Sequence, residues 1–588
     1  MRLTNVAHLR LPFGRLWGYD VTVSEPVGEL PISFDQRRHV SLGARSGSWM
    51  ALSFRLREPI RRDDLARAWL AVISRHGTLR TAFSPGEDGV PRLHEVAVEP
   101  GAWAEHEIGP GQAVNDALRD VLDRSCSPYE RTSYRLCALE TAADTTVVVG
   151  ADHAHVDMWS MLVIARDLLA ALAAVRGGEE PARASAPPFA AHTRAYAELP
   201  AAPEEVRTRW AEILRDSGDA MPCFPLPLGV TGPYRERVEV RDVLDVDDTA
   251  AFSAQAREEG VSTLALAVAA MTAVTRELAD APLRAVFPVH SRYDAQWHDS
   301  VGWFITNSVI ESRDPSPEAA SAAVREAIRL GSWPLEGILR PWGGMPEGPG
   351  MFAISWLDLR RLPVRVDSRG LEAQYVGAEI HTDGVMLWFI LDESGLHLRC
   401  RYPDTPDART HVGGWLDLLV ARLQAGARSS VQGMLRAGGR TFRIERAIRE
   451  DVADIVALLF DDEYGSTRES ADLAAYETAF DVLVHDRSHY VAAVRDEAGR
   501  TVGTMQLTVL PGLVRGGATR LQIEGVRVIS PLRSRGIGTA MLEWAHSYGR
   551  AHGATLAQVT TDRVRDRARS FYGRLGYDSG QVGLKRAL

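Results

Sequence analysis

The sequence predicts a mixed α/β (α+β) protein that is divided into more than one domain. Helix-like and strand-like hydrophobic patterns alternate through residues 1–430, and a second β-α-β series begins after residue 440. The length of 588 residues exceeds what a single hydrophobic core usually serves. A hydrophobic share of 45% and a charged share of 24% are typical of globular chains and exclude wholesale disorder.

Three segments define the predicted elements of the first part of the chain. Arg62–His76 repeats apolar residues at helical spacing, which predicts an amphipathic helix. Asp144–Ala151 contains the β-branched run TTVVV, which predicts a buried strand. Ser160–Val175 places its isoleucine and leucines on one stripe, so we expect a helix packed against a large surface.

The C-terminal part of the chain shows a different order of elements. Its strands are predicted at Tyr490–Val494, Val502–Val509, Leu521–Val528 and Thr555–Thr560. Its later helices are predicted at Ile537–Ala551 and Arg565–Leu575. The third of these strands runs into a glycine-containing loop, and the first of these helices follows that loop directly.

Loop-forming composition marks three joints in the chain. Arg176–Pro188, Ser217–Pro233 and Gly426–Arg440 are rich in glycine, proline or small residues. We therefore expect four successive parts: a first lobe at 1–225, a second lobe at 226–430, a linker at 431–440 and a separate domain at 441–588.

Charge and cysteine content exclude several classes of partner. Residues 1–440 contain 47 Arg and Lys against 58 Asp and Glu, a net charge of −11, whereas residues 441–588 contain 20 against 19, a net charge of +1. The acidic balance argues against nucleic-acid binding. The longest apolar run, Leu264–Val274, falls short of the roughly 20 residues that span a bilayer. With no signal-like N-terminus and no CxxC pair among four cysteines, we expect a cytoplasmic protein without membrane, zinc or disulfides.

The segment GADHAHVDMWSM (Gly150–Met161) carries the first group of chemistry-bearing residues. It lies where the buried strand ends and the next helix begins, and such a turn can project polar side chains into a cleft. His153 can accept a proton from an attacking amine or hydroxyl, because the pKa of histidine lies near neutrality. His153, His155 and Asp157 also alternate like metal ligands, but no fourth ligand is evident, so no metal is expected. The alternative is that these histidines only satisfy local backbone groups.

This segment and four others together resemble the condensation-domain superfamily. In that family's HHxxxDG motif the second His is catalytic; the four matching positions here are Asp152, His153, Asp157 and, at the glycine, Met158. The other blocks occur in the family's order: PISFDQRR (Pro31–Arg38), RHGTLRTAF (Arg75–Phe83), FPVHSR (Phe287–Arg292) and VGWFITN (Val301–Asn307). The resemblance covers residues 25–430 and implies the two-lobed chloramphenicol acetyltransferase-like fold.

The resemblance implies acyl transfer from a thioester on the phosphopantetheine arm of a carrier. His153 would assist the nucleophile or stabilise the tetrahedral species, and Asp157 would pair with Arg292 to hold the catalytic turn. Met158 puts a flexible side chain beside that turn, where it could narrow the donor's tunnel. No carrier or adenylation motif occurs, so the donor is expected in trans, on an acyl or peptidyl carrier protein or on coenzyme A. Three tryptophans are candidates for the tunnel lining, with plain core packing as the alternative: Trp159, Trp303 and Trp356.

A second group of residues lies where the strand Leu521–Val528 approaches the helix that begins at Ile537. Glycines there let the backbone approach a ligand closely, and free N–H groups at a helix start attract phosphate. The loop RSRGIG and the later ARSFYGRLGY (Ala568–Tyr577) resemble the acetyl-CoA loop and closing motif of the Gcn5-related N-acetyltransferase (GNAT) family. The resemblance spans residues 441–588 and implies acetyl-CoA binding, mostly through backbone groups, by Val526, Val528, Arg533, Ser534, Arg535, Gly536, Ile537, Gly538 and Thr539.

The GNAT resemblance also implies two catalytic residues. Glu524 stands where the family often carries a base that acts through a water. The alternative for Glu524 is a structural charge bonded to Arg527 or Arg520. Tyr572 matches the general acid that protonates the leaving CoA thiolate, with a packing aromatic as the alternative. Gln506, on the preceding strand, could face the acceptor.

Together these features predict a bifunctional acyltransferase of specialised-metabolite, nonribosomal-peptide-like biosynthesis. The condensation half would join a carrier-bound acyl or aminoacyl group to an amine or alcohol of a small molecule, and the GNAT half would acetylate an amine. One alternative keeps only the GNAT half as an enzyme, with the front half docking a carrier or synthetase. Another makes the front half an ester-forming O-acyltransferase that uses acyl-CoA. A third gives the C-terminal domain an aminoacyl-tRNA substrate, which its net charge of +1 disfavours.

Overall fold

A computed structural model describes residues 2–182, 184–428, 433–461, 469–470, 472–486, 488–561, 566–578, 580 and 586. The chain divides into two units, Met1–Ala425 and Gly426–Leu588. Strands and helices alternate in both units, so the predicted mixed α/β class is confirmed.

The larger unit contains two seven-stranded sheets and a small three-stranded sheet. Its strands are β1 Arg2–Asn5, β2 Arg15–Val23, β3 Glu29–Leu30, β4 Trp49–Leu56, β5 Thr81–Pro85, β6 Pro91–Glu95, β7 Val98–His106, β8 Tyr134–Glu140, β9 Thr145–Asp152, β10 Tyr234–Leu244, β11 Leu283–His290, β12 Ile305–Ser312, β13 Phe352–Asp358, β14 Gln374–Gly377, β15 His381–Thr382, β16 Val385–Asp392 and β17 Gly395–Pro403. Its helices are α1 Phe34–Ser41, α2 Arg62–Arg75, α3 Val114–Ser125, α4 Met158–Arg176, α5 Phe189–Ala197, α6 Glu204–Asp216, α7 Val246–Glu258, α8 Thr263–Ala279, α9 Pro317–Gly331, α10 Leu335–Leu339 and α11 Pro406–Arg428.

Strand β14 comes late in the chain yet completes the first sheet. It pairs parallel to β1 and antiparallel to β4, which gives the strand order β1-β14-β4-β9-β8-β2-β7. The second sheet has the order β12-β11-β13-β16-β17-β10-β15. A division of the chain at residue 225 therefore does not separate the two sheets, because a strand from the later part belongs to the first sheet.

Helix α4 begins just beyond the end of the central strand β9 and packs with α2 over one face of the first sheet. The predicted strand Asp144–Ala151 and helix Ser160–Val175 are confirmed at Thr145–Asp152 and Met158–Arg176. Among the described helices, α4 alone is long and apolar enough, by length and composition, to cross a membrane. Because 67% of that apolar window is buried inside the protein, its composition fits a core helix.

The smaller unit has one six-stranded sheet whose strands follow chain order, with only the last pair parallel. Its strands are β18 Met434–Ala437, β19 Arg440–Arg446, β20 His489–Arg495, β21 Thr501–Leu510, β22 Arg520–Val528 and β23 Leu556–Val559. Its helices are α12 Val452–Phe460, α13 Leu473–His485, the short turn α14 Val514–Gly517, α15 Ile537–Ala551 and α16 Asp566–Arg574. The predicted helix Ile537–Ala551 is confirmed, and residue 565 of the next predicted helix lies outside the described residues.

The predicted linker 431–440 contains an edge strand of this sheet. β18 pairs antiparallel with β19, and Leu435 is buried in the core of the smaller unit. Gly438 and Gly439 between the two strands have φ values of +57° and +74°, so their freedom in the left-handed region builds a tight turn. The glycine-rich composition therefore marks a hairpin here, while residues 431 and 432 lie outside the described residues.

Candidate active sites

His153 occupies the turn between β9 and α4, as its position after a buried strand predicts. Its Nδ1 atom lies 2.9 Å from the carbonyl oxygen of Val156, and its backbone N–H donates to the Ser48 carbonyl. A carbonyl oxygen can only accept, so Nδ1 carries the hydrogen and Nε2 keeps a lone pair. Burial, followed by the nearby His39 ring, lowers the pKa of His153 below its usual value. The side chain therefore stays neutral and basic at Nε2 near pH 7.

Two aromatic side chains lie beside His153: Trp303, which the sequence analysis named as a candidate for the tunnel lining, and His39, which it missed. The indole of Trp303 stacks on the imidazole, with ring centroids 4.2 Å apart and planes inclined by 22°. The ring of His39, from α1, lies 6.2 Å from His153 and 5.2 Å from Trp303. Of the three tryptophans proposed for the tunnel, only Trp303 therefore contacts the histidine ring face to face.

Asp152, which stands at the family's first His, binds His39 instead of a neighbour along the chain. Its two carboxylate oxygens lie 3.2 and 3.3 Å from His39 Nε2. Arg45 donates to His39 Nδ1 at 2.9 Å, so Nε2 carries the hydrogen that Asp152 accepts. Burial alone would raise the pKa of Asp152, but the hydrogen bonds from His39 and Ser48 hold it below its usual value. His39 thus bonds α1 to the turn. A second bond joins the same two elements, because Gln36 of α1 donates to the Ala154 carbonyl.

Asp157 and Arg292 form the predicted pair. Arg292 donates from Nη1 and Nη2 to the two oxygens of Asp157 at 2.6 and 3.1 Å, and both side chains are fully excluded from solvent. Asp157 also caps α4 by accepting from the Ser160 N–H at 2.7 Å, and it accepts from the Phe304 N–H at 3.1 Å. Burial opposes the charge of Asp157, but Arg292 and these hydrogen bonds hold its pKa below the usual value. Through Asp157, the turn between β9 and α4 is therefore joined both to Arg292 and to the block Val301–Asn307.

The remaining residues of the motif take separate roles. Met158 is half-buried against the apolar core that includes α2, α4 and the first sheet, and its carbonyl accepts from the Tyr375 hydroxyl at 2.7 Å. His155 is buried with its ring 5.2 Å from that of Phe83. Trp159 donates to a backbone carbonyl and lies beside Arg292, at 5.0 Å from its guanidinium carbon. The three alternating side chains that resemble metal ligands, His153, His155 and Asp157, therefore point to different partners.

In the smaller unit, β22 leaves one edge open beside the predicted CoA loop. Among the described residues it pairs with β23 only over Arg520–Ile523, whereas its pairing with β21 continues to Val528. Gly525 has a φ of +60°, and the register with β21 shifts close by, between Thr504 and Gln506. The two neighbouring strands therefore separate after Ile523, which leaves a gap along residues 524–528.

The loop after β22 presents backbone N–H groups at the start of α15. Ser534 and Gly536 have φ values of +62° and +86°, which turn the chain into the helix. The first N–H groups of a helix have no partner within it, so those of Ile537 and Gly538 can bind an anion. A Cβ added at Gly538 would lie 3.4 Å from the Phe571 ring. The open strand edge fits a pantetheine arm, and this helix start fits a pyrophosphate, so the residues present suit CoA.

The side chain of Arg533 is engaged within the protein. Its Nε donates to the Val528 carbonyl at 2.9 Å, and its Nη2 lies 3.0 Å from the Asp461 carboxylate. The carbonyl of Val526 accepts from Arg527 Nη1 at 3.0 Å. The carbonyls of Val526 and Val528, which were expected to meet pantetheine, thus accept hydrogen bonds from arginine side chains in this structure. Arg533 acts on the loop by fixing its shape.

The two predicted catalytic residues of this unit lie on β22 and on α16. Glu524 is exposed on β22, directly opposite the half-buried Gln506 of β21. Tyr572 is half-buried on α16, with its ring 5.3 Å from that of Phe571. Because Phe571 packs on Gly538, Tyr572 lies close to the start of α15.

Comparison with known proteins identifies both units. The family model described as Condensation domain matches residues 28–328, and the one described as Acetyltransferase (GNAT) family matches residues 453–577. Acyltransferase PapA3 of Mycobacterium tuberculosis is 23% identical over 438 residues, which cover 69% of this chain and 91% of that protein. Aminoalkylphosphonate N-acetyltransferase of Salmonella typhimurium is 28% identical over 146 residues, which cover 25% of this chain and 90% of that protein. The solved structure of PapA2 acyl transferase shares the fold, with a TM-score of 0.64 and 19% identity over 73% of this chain and 100% of its own.

Proposed function

We propose, since this chain is an acyltransferase that belongs to the condensation-domain family and carries a GNAT-family acetyltransferase domain, that it performs two acyl transfers in specialised-metabolite biosynthesis. The larger unit joins an acyl or aminoacyl group, delivered as a phosphopantetheine thioester on a separate carrier protein, to an amine or alcohol of a small molecule. The smaller unit acetylates an amine of the same or a related molecule with acetyl-CoA.

The observation that carries the first activity is the fixed orientation of the His153 ring. Because Nδ1–H is held by the Val156 carbonyl, the basic Nε2 is free to take the proton of the attacking amine or hydroxyl. The nucleophile's nitrogen or oxygen bonds to the thioester carbon, the C–S bond breaks, and the proton passes through Nε2 to the departing thiolate. Atoms and charges balance without a metal or a redox partner.

The residues around His153 position it rather than react. The buried Asp157–Arg292 pair holds the turn from the side of the second sheet. The Asp152–His39 pair holds the same turn from α1, and Trp303 covers one face of the imidazole. A base that is held on both sides meets the nucleophile in a single geometry. Most of the rate gain from positioning arises from such a fixed geometry.

The second activity rests on the gap beside β22 and on the start of α15. When bound there, acetyl-CoA supplies an activated acetyl group. The N–H groups of 536–539 would hold its phosphates, and the backbone along 524–528 would align its arm. Glu524 would accept the amine's proton through a water as the amine nitrogen bonds to the acetyl carbon and the C–S bond breaks, and Tyr572 would donate a proton to the departing thiolate.

Mass spectrometry of the intact small-molecule products tests this proposal. The full chain is incubated with a panel of amines and amino alcohols, acetyl-CoA and an acyl-loaded carrier protein, separately and together. We expect an added 42 Da that requires acetyl-CoA (C₂H₂O, about the mass of one acetyl group) and a second addition, of the carrier's acyl group, that does not. The proposal is wrong if neither donor is consumed above the level seen with heat-inactivated protein.

Met158 favours one alternative, in which the larger unit only docks a carrier or a synthetase. Its side chain fills space next to the catalytic turn where the family has glycine. If the wild-type chain transfers no acyl group from a carrier but the Met158→Gly variant does, the larger unit is a docking module that lost its reaction.

An ester-forming reaction from acyl-CoA is distinguished in the same panel, because it adds the acyl group to alcohols without a carrier.

A further inference from the structure

A buried arginine and a half-buried arginine lie on the face of the second sheet that packs toward β1 and β14. Arg399 and Arg401 project from β17, in register with Trp388 and Met386 of β16. Their guanidinium carbons lie 4.7 and 5.2 Å from the centroid of the Trp388 ring. Only 4% of Arg399 is exposed, and its side chain lies against Gly377 of β14, where an added Cβ would come within 3.3 Å of Nη2.

These two guanidinium groups are short of hydrogen-bond partners. Among the described residues, Nε and Nη2 of Arg399 and Nε of Arg401 have no acceptor, and Arg401 Nη2 donates only to the thioether of Met386, at 2.7 Å. A thioether is a weak acceptor. Buried polar groups in proteins are nearly always bonded, and an exception calls for a ligand, a water or a function.

The local charge is also unbalanced. The nearest carboxylate is that of Glu236, whose Oε2 lies 3.8 Å from Arg401 Nη1 and whose Oε1 accepts from Asn5. One carboxylate faces two guanidinium groups. Burial, followed by the charge of Arg401, lowers the pKa of Arg399 to about 10, so both groups are charged at neutral pH. Burying a positive charge without a counter-charge is costly, and an anion between the two arginines would remove that cost.

The sheet register places this cluster near the His153 turn. Gly377, which lies against Arg399, pairs with Met50 of β4, and Met50 pairs with Ala151 of β9. Two strand spacings separate Gly377 from Ala151, roughly 10 Å. Ala151 comes two residues before His153, so the strand that leads into the His153 turn lies two strands away from the contact between Arg399 and β14. Trp388, Met386 and Arg401 are half-buried, so part of the cluster is exposed to solvent.

We infer that Arg399, Arg401 and Trp388 form an anion subsite that binds an oxyanion substituent of the acceptor, a carboxylate, phosphate or sulfate, while His153 meets its nucleophile. This inference rests on the proposed function, because only that function makes the bound molecule an acyl acceptor. Binding of an anion by the two arginines does not itself depend on acyl transfer. Guanidinium groups suit oxyanions because their fixed N–H pairs match two oxygens at once. Trp388 holds both planes in place by stacking.

Thermal melting of the full chain with simple anions tests the subsite. Acetate, phosphate and sulfate are each titrated against chloride at constant ionic strength. We expect at least one of them to raise the Tm of the larger unit by about 1–3 °C with saturation, since binding to a site saturates while general salt effects do not. The anion that gives the largest Tm shift indicates which oxyanion substituent the acceptor carries. No saturable shift with any of the three overturns the inference.

Matched variants locate the effect. Arg399→Met and Arg401→Met should lose the saturable shift, whereas Arg235→Met, which removes an arginine whose side chain is 73% exposed on β10 of the same sheet, should keep it. The CoA loop is unchanged in all three variants. An anion bound at that loop therefore contributes equally to the Tm shift of each variant and does not affect the comparison. Should a Met variant not fold, Arg399→Lys keeps the charge and should weaken the apparent affinity at least threefold. An unchanged shift in either Arg399 variant contradicts the subsite.

His153→Ala separates this inference from the proposed function. It should keep the anion shift even though it loses acyl transfer. If transfer depends on His153 but the anion shift is the same in Arg399→Met, the proposed function stands and the subsite is wrong.

Discussion

Arg292 Nη1 lies 2.6 Å from Asp157 Oδ2, and neither side chain reaches solvent. The two residues are 135 positions apart in the chain, so their pair fastens the turn after β9 to the segment that follows β11. The same aspartate caps α4. One carboxylate therefore fixes the helix start, the turn and the second sheet together.

Removal of this carboxylate should destabilise the larger unit strongly. We expect Asp157→Ala to lower the free energy of unfolding by roughly 3–5 kcal/mol, because it leaves Arg292 charged and buried. Asp404→Ala, which breaks an exposed pair with Arg409, should cost at most about 1 kcal/mol. Because the pKa of Asp157 is depressed in the folded state, the difference between wild type and Asp157→Ala should be full at neutral pH and shrink as pH falls below about 4. Urea unfolding at several pH values measures both effects, and equal losses in the two variants would contradict the pairing.

His153→Ala should abolish transfer from the carrier and leave acetylation by acetyl-CoA intact. Loss of a general base lowers rates by about 10²–10⁴-fold. His94→Ala, which removes a partly buried histidine bonded to Ser84 in the small sheet, serves as the control and should leave both activities unchanged. Rates are measured with an acyl-loaded carrier and with acetyl-CoA in parallel. Full transfer by a folded His153→Ala protein would remove His153 from the mechanism.

The pH dependence of the first activity should follow the lowered pKa of His153. A histidine base works in its neutral form, and burial favours that form. We therefore expect the rate of carrier-dependent transfer to hold down to pH 6.5 and to fall only at lower pH. A profile of kcat/KM against pH reports this group in the free protein. An acidic limb centred above pH 6.5 would show that a different group, or a less buried histidine, limits the rate.

Local patterns predicted the elements of this protein better than its long-range contacts. The helix expected at Arg62–His76 occurs at Arg62–Arg75, because its stripe of apolar residues lies within one short segment. The pair Asp157–Arg292 could be predicted because both positions belong to family blocks. The Asp152–His39 pair could not, because Asp152 stands where the family has a histidine and His39 lies just outside the block Pro31–Arg38.

Strand pairing and turn conformation explain the other differences. Nothing in the periodicity of Gln374–Gly377 indicates that this strand joins β1 and β4 at the start of the chain. The glycines of the predicted linker indicate flexibility in sequence, but two of them adopt positive φ in a hairpin. Sequence reasoning assigned no role to Arg399 and Arg401, because alternation along a strand cannot tell which of its faces will be covered in the folded protein.

Gly538→Asp should abolish CoA binding by the smaller unit. The new side chain would meet the Phe571 ring, and its negative charge would oppose phosphate at the start of α15. Ala498→Asp adds the same charge at an exposed position of the turn between β20 and β21 and should bind CoA normally. Isothermal titration with CoA compares the two. Wild-type affinity in Gly538→Asp would place the CoA site elsewhere.

The first strand of the smaller unit should matter for its stability. We expect residues 426–588 to fold alone and bind acetyl-CoA, and residues 441–588, which lack β18, to melt at a lower temperature. The shorter fragment exposes the edge of β19 and loses Leu435, which is only 4% exposed and whose burial contributes roughly 1.5–3 kcal/mol. Calorimetric melting of both fragments with and without acetyl-CoA measures the difference. Equal melting temperatures would show that β18 is dispensable, and an unfolded 426–588 fragment would show that the two units depend on each other to fold.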